Sequence, residues 1–194
     1  MHDIEPYYRW RDYYTAEDDK YSPFFGKEYS EIHFTDKIYN YYIHPQWDNF
    51  GSPTLYIKIL FVDYEDGFAI FEFIGEWNDC ITNDIMFLKR DIVDCFTKRG
   101  ITKYILLCDN VLNFHGSDDS YYEEWWDDVK DENGWVVLLN TYDHVSTEMK
   151  STKLQYYINF GLQFNDVQWH NKNPDILFLD IKERLENGIK FLTN

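Results

Sequence analysis

Within FHGSDDSYYEEWWDD, Phe114 to Asp128, a histidine, two serines, six carboxylates, two tyrosines and two tryptophans fall in fifteen residues. His115 with Asp118 and Asp119 supplies imidazole and carboxylate, suitable ligands for a divalent metal, but nothing else in the segment fixes a coordination geometry. Trp125 and Trp126, flanked by Tyr121, Glu123 and Glu124, could instead anchor a protein partner, because tryptophan is favoured at interface hot spots. Adjacent tryptophans on one helix cannot easily both point into one core. A plainer account also fits. Ser117, Asp118, Asp119 and Ser120 are all good N-cap residues, Ser120 with Glu123 makes a capping-box pattern, and acidic residues in a first turn complement the helix dipole.

A second group lies along the expected rim of a sheet. GEWND (75–79) follows an apolar strand, and in open α/β sheets ligands bind beyond the carboxyl ends of the strands. Trp77, Asn78 and Asp79 would share that rim with Asp109 and Asn110, and Asn140 and His144 follow the next strand. Together with His115 and Asp118 they define a candidate small-molecule or metal-dependent site. The plainer reading is loop capping by Asn78 or Asp79. IHPQWD (43–48) reads as a rigid turn around a packed tryptophan.

Catalysis has no motif behind it. G-x-S-x-G, P-loop, H-E-x-x-H and dinucleotide glycine patterns are absent, which weighs against an enzyme. No catalytic residue, metal site or cofactor is assigned.

The elements that must position these residues follow from periodicity. Leu55 to Val62 alternates in the manner of a strand, Glu65-Asp66-Gly67 turns the chain, and FAIFEFI (68–74) reads as a central strand covered on both faces. Ile81, Ile85, Leu88, Ile92 and Cys95/Phe96 predict a helix with Thr82 or Asn83 as cap and Gly100 as stop. ITKYILLCD (101–109) reads as a buried strand followed by a loop. Tyr122, Trp125/Trp126 and Val129 mark a helix closed by Asn133-Gly134, and WVVLLN (135–140) is a third core strand. A short helix is expected from Asp143 to Lys150. Over 154–165 alternation argues for a strand, while a helix ending at Gly161 followed by a strand stays open. The last helix has Asn173 as cap, Pro174 at its first position, and a stripe of Phe178, Ile181, Leu185, Ile189 and Leu192. Alternating helices and strands imply a mixed, largely parallel sheet with a hairpin strand at its N-terminal side and helices packed on it. Residues 1–38 form an extension or arm, and 39–194 form a single α/β domain.

From about residue 67 to 150 the order and punctuation resemble the STAS domains of anti-sigma-factor antagonists. AIFEFIGEWND is similar to that family's strand followed by Gly-Glu and a helix. ITKYILLCDNVLNF is similar to its apolar strand, Asp and Val-containing loop. Asp118-Asp119-Ser120 falls where the family carries Asp-Ser-Ser/Thr. The likeness extends to an uncharacterised bacterial family of this type and implies no activity. It implies a non-enzymatic regulatory or protein-binding module in which Ser120 is the phospho-acceptor that decides whether a partner binds. A phosphate there would stand beside Asp118, Asp119, Glu123 and Glu124, where like charges repel, as in a release switch. Three departures are visible: Tyr121 stands in place of the usual glycine, the preceding loop is longer, and the following helix carries Trp125, Trp126 and several carboxylates.

Charge narrows the partners. With 35 acidic against 18 basic residues the net charge is −17. Nucleic acid and anionic lipid gain nothing from such a surface, whereas a basic protein partner, or solubility alone, does. An acidic mimic of DNA would need a continuous carboxylate surface. Cys80, Cys95 and Cys108 are odd in number and far apart, which reads as buried thiols in a reducing cytosol. The start lacks a secretory pattern, and no apolar run is long enough to span a membrane. The expected compartment is the cytoplasm.

Overall fold

Asp63 Oδ1 accepts from the backbone N–H groups of Glu65 and Asp66 at 2.7 and 2.9 Å, and this tight turn fixes the first long pairing of the chain. A computed structural model describes residues 4–30 and 32–192, with side-chain environments as far as 187. Strand β1 (Lys37–Ile38) and strand β2 (Tyr41–Tyr42) form a small hairpin of their own. The main sheet holds β3 (Leu55–Asp63), β4 (Phe68–Asn78), β5 (Lys103–His115) and β6 (Trp135–Leu139) in that spatial order. Strand β3 is antiparallel to β4, and β4, β5 and β6 are mutually parallel. This is the mixed, largely parallel α/β sheet that the alternation of elements predicts.

The parallel pairs need crossover helices. Between β4 and β5 the chain runs through α1 (Asp84–Phe87), a π-helical segment (Leu88–Val93) and α2 (Asp94–Thr97). Helix α3 (Ser120–Lys130) links β5 to β6, and α4 (Asp143–Ser151) follows β6. These helices bury Leu88, Phe96, Trp125 and Met149 on the sheet face that carries Phe71, Phe73, Leu106 and Leu138. The other face carries Phe68, Ile70, Ile105 and Val137, and is covered by Trp10 of the arm and by α5 (Pro174–Leu192). Phe178 of α5 stacks on Phe68 at 4.2 Å between ring centres. Asn173 caps α5 through its side chain, as expected, accepting from Ile176 N at 2.8 Å. Ile189 and Leu192 of the expected stripe lie outside the described side chains.

Both edges of the sheet are protected. Asp48 bridges Ile57 on β3, and Asn159 bridges Val137 on β6, so neither edge offers a free ladder along its length. Trp47, next to that first bridge, is buried and donates to Ile4 O at 2.9 Å, as befits a rigid turn.

Several expectations are corrected. Residues 154–165 form neither a strand nor a regular helix but 3₁₀ turns at Leu154–Tyr156 and Leu162–Phe164. Their alternation of residue types is not an alternation of burial, because Tyr156 and Leu162 face solvent. Both strands β4 and β5 run further than their apolar runs suggest, so GEWN lies within β4 and NVLNFH within β5. Of the three cysteines only Cys108 is buried, while Cys80 is exposed. Among the described residues no helix is long and apolar enough to cross a membrane.

Candidate functional site

Strand β5 delivers the chain to His115, and the turn at 116–119 reverses it into α3. The start of α3 is held by Asp118, not by a capping box. Asp118 Oδ1 accepts from Ser120 N at 3.1 Å and from the Ser120 hydroxyl. The hydroxyl bond holds the Asp118 carboxyl below the usual carboxylate range. Asp119 is the N-cap residue, and its carbonyl, not its side chain, receives Tyr122 N and Glu123 N. Ser120 itself is exposed.

The inner face of α3 consists of Tyr122, Trp125 and Val129. Tyr122 donates its hydroxyl to Asp79 Oδ2 at 2.6 Å, and Asp79 Oδ1 accepts from Trp77 Nε1 at 3.0 Å and Ile85 N at 2.9 Å. Burial pushes the Asp79 carboxyl up to about 6. Trp77 and Asp79 therefore do not line a rim. They form a buried joint that ties the end of β4 to the starts of α1 and α3. Trp125 is likewise no partner anchor, being fully buried edge-on against Tyr104 at 5.1 Å. Trp126 is the tryptophan with surface to offer, packed on the core along one side. Trp125→Ala is expected to cost about 3–5 kcal/mol of stability, and Trp126→Ala less than about 2 kcal/mol. Urea unfolding of the two variants checks this; equal losses would refute the division of the pair.

A clamp holds α3 from the other side, and no motif announced it. Lys89, in the π-helical segment, is buried and reaches Asp94 and, at 2.8 Å, Asp128 of α3. Arg90 forks onto both oxygens of Glu124, the second at 2.7 Å, and lies 5.4 Å from the Tyr121 ring centre. Arg90 holds the Glu124 carboxyl below its ordinary range. Glu124 and Tyr121, expected on a partner surface, are thus engaged within the chain. Regular α-helical spacing would place Lys89 at the flank of the Leu88/Ile92/Phe96 stripe, beside Phe96. In the π segment the lysine is buried and paired with two carboxylates, and the sequence pattern carries no signal of that turn.

What faces outward is a stripe of like charge. Asp119, Glu123 and Asp127 stand at i,i+4 spacing, with Asp131 at the helix end, and Trp126 adjoins them. Lys130 pairs with Asp127 at 2.5 Å. Carboxylates four apart repel by about 0.2–0.5 kcal/mol a pair, a cost offset at the helix start by the dipole and at Asp127 by Lys130.

The remaining rim candidates do not form one site. Strand β6 ends at Leu139 opposite Leu107, whereas β4 and β5 continue together to Asn78 and His115. Asp109 and His115 are six residues apart along β5, roughly 20 Å at the rise of a strand. At the far level, His115 Nε2 sits 3.4 Å from Glu76, and Asn78 accepts from Ile81 N at 2.9 Å. At the near level, Asp109 accepts from Asn140 Nδ2 at 2.9 Å and Trp169 Nε1 at 3.0 Å. His144 meets Leu112 O at 2.8 Å, and Asn110 lies on the sheet face beside the β1–β2 hairpin. Among the described residues no three His, Cys, Asp or Glu side chains come together as a metal site.

No family model and no curated protein matches the sequence. Several solved chains are similar to part of this one, among them the following two. A candidate anti-sigma factor antagonist from Thermotoga maritima is 15% identical over 58% of this chain and 86% of its own, with a TM-score of 0.41. The Bacillus cell-fate determinant SpoIIAA, in its phosphorylated form, is 12% identical over 55% of this chain and 91% of its own, with a TM-score of 0.39. Both are likenesses of fold.

Proposed function

We propose that this chain is a regulatory protein-binding module that receives a basic segment of a partner protein on the outward face of α3. The observation that supports this most is the stripe Asp119–Glu123–Asp127 beside the half-buried Trp126. Its charges repel one another, and a partner's lysines or arginines would relieve that repulsion while an aromatic anchor supplies apolar contact. Helix α3 is rigidly seated by the Tyr122–Asp79 joint and the Lys89/Arg90 clamp, so binding would not first have to order it. Ser120 is the modifiable point of this surface. A phosphate of about −1.5 to −2 charge beside Asp118 would displace the bond that holds the first turn, which makes it a release switch.

The test is a photo-crosslinking residue placed at Trp126 in the native host. Adducts are expected on a lysine- or arginine-rich segment of one partner. Glu123→Lys combined with Asp127→Lys should cut that crosslink at least tenfold while the protein stays folded, with a stability loss of about 1 kcal/mol from the lost Lys130 pair and the reversed helix-start charge. Undiminished crosslinking in the reversed variant would overturn the proposal, as would adducts lacking any basic segment.

A further inference from the structure

We propose that the groove between the β1–β2 hairpin and the main sheet is a binding site for a small, uncharged, mainly apolar aromatic molecule bearing one hydrogen-bonding group. The groove encloses about 240 Å³. Its floor is Ile38, Ile43 and Ile74, which are buried together in a small core of their own. Tyr39, Tyr41 and Leu112 stand at its opening, 55%, 55% and 39% exposed.

Size and polarity set the class of ligand. An apolar protein cavity of about 150 Å³ stays dry and takes benzene, so a groove of this volume suits a molecule of roughly ten non-hydrogen atoms, a fused pair of rings. Among the described residues no charged side chain lines the groove, so an ionised ligand would lose its hydration without gaining a partner from them. The one polar side chain apart from the tyrosines is Asn110, whose amide has no hydrogen-bond partner among the described residues. A hydroxyl or ring N–H on the ligand would meet it. Flat tyrosine rings at the opening favour an aromatic over an aliphatic body, because ring pairs gain beyond their buried area.

The opening is also where the backbone is strained. Tyr39 is the first residue of the two-residue hairpin turn and has φ of +54°, a left-handed conformation that costs a bulky residue about 1–2 kcal/mol. Glycine or asparagine would serve the turn at lower cost. The tyrosine there ties the turn to β5, its hydroxyl accepting from Asn113 Nδ2 at 3.5 Å, and also supplies a ring to the groove.

The experiment uses 2-naphthol and naphthalene as probes against the full chain, read by two-dimensional amide NMR and thermal melting. Saturable binding of 2-naphthol below about 1 mM is expected, with shifts confined to residues 38–43, 74 and 110–112. Leu112→Trp, at a half-exposed position, should fill the opening and abolish those shifts while leaving the melting temperature unchanged. Asn110→Leu should weaken 2-naphthol about tenfold relative to naphthalene. Three results would overturn the proposal: no saturable shift in the wild-type chain, shifts that persist in Leu112→Trp, or groove resonances that move with protein concentration alone, which would mean that a second copy fills it.

Discussion

Glu72→Gln is expected to stabilise the protein by on the order of 4 kcal/mol at pH 8.5 and by almost nothing at pH 4.5. Glu72 sits in the middle of β4, on the face beneath the arm, and accepts one hydrogen bond, from Tyr7 N at 2.8 Å. Lys58 is directly opposite in the β3 register, yet its ammonium turns to Asp48 at 3.3 Å. Burial, with a smaller contribution from Asp109, pushes the Glu72 carboxyl from 4.5 up to about 8. The folded protein therefore holds a proton through the window from 4.5 to about 8 that the unfolded chain releases. Stability from this group is complete below pH 4.5, falls steadily as pH rises through that window, and is lost above about 8. Glutamine keeps the shape and the acceptor for Tyr7 N without the charge, so it removes the slope. Urea unfolding of both proteins at several pH values gives the comparison. A stability difference that does not grow with pH would show that Glu72 is not the group responsible. Asp79, raised to about 6, adds a smaller slope of the same sign between 3.8 and 6.

Gly75→Ala is expected to unfold the protein or cost it more than about 4 kcal/mol, the range reserved for a named structural conflict. Gly75 lies in β4 opposite Leu55, with φ of +122°. A Cβ there would stand 2.0 Å from the carbonyl oxygen of Thr54, a backbone atom that cannot swing aside. Relief would require β3 and β4 to part, and with them the faces that bury Leu55 and Phe73. Gly26→Ala is the control: its φ of +71° is strained, but nothing lies within 4 Å of the added carbon. That variant should lose only about 1–2 kcal/mol. Soluble expression and denaturation of both variants decide the matter, and a Gly75→Ala protein as stable as Gly26→Ala would contradict the packing described.

The parts of this fold legible in the sequence are those written in short-range chemistry. Glu65-Asp66-Gly67 announced the hairpin, Asn173-Pro174 the last helix, and Asn133-Gly134 the end of α3. Apolar alternation and apolar runs placed all four strands of the main sheet. What escaped was set by contacts between distant residues. The π turn that buries Lys89 answers to Asp94 and Asp128, one of them on another helix. The extension of β5 to His115 answers to its pairing with β4. In a chain so rich in aromatic residues, hydrophobic type is also a weak guide to burial: Tyr156 and Leu162 completed an apparent strand pattern while facing water. The acidic helix was legible, but not which tryptophan it buries. Trp125 and Trp126 are chemically identical neighbours, and only the position of Tyr104 separates them.

The face of the sheet shared by the arm and α5 has a consequence for how the molecule comes to exist. Tyr7 donates to His170 O and Trp10 to Lys172 O, contacts that span 163 and 162 residues. During synthesis the arm emerges first, yet its binding site is assembled last. Until α5 is made, Phe68, Ile70, Ile105 and Val137 have half a cover. At about 5–20 residues per second that interval lasts seconds, long enough for an exposed apolar sheet to meet another chain. The yield of folded protein is therefore expected to fall as the expression level rises.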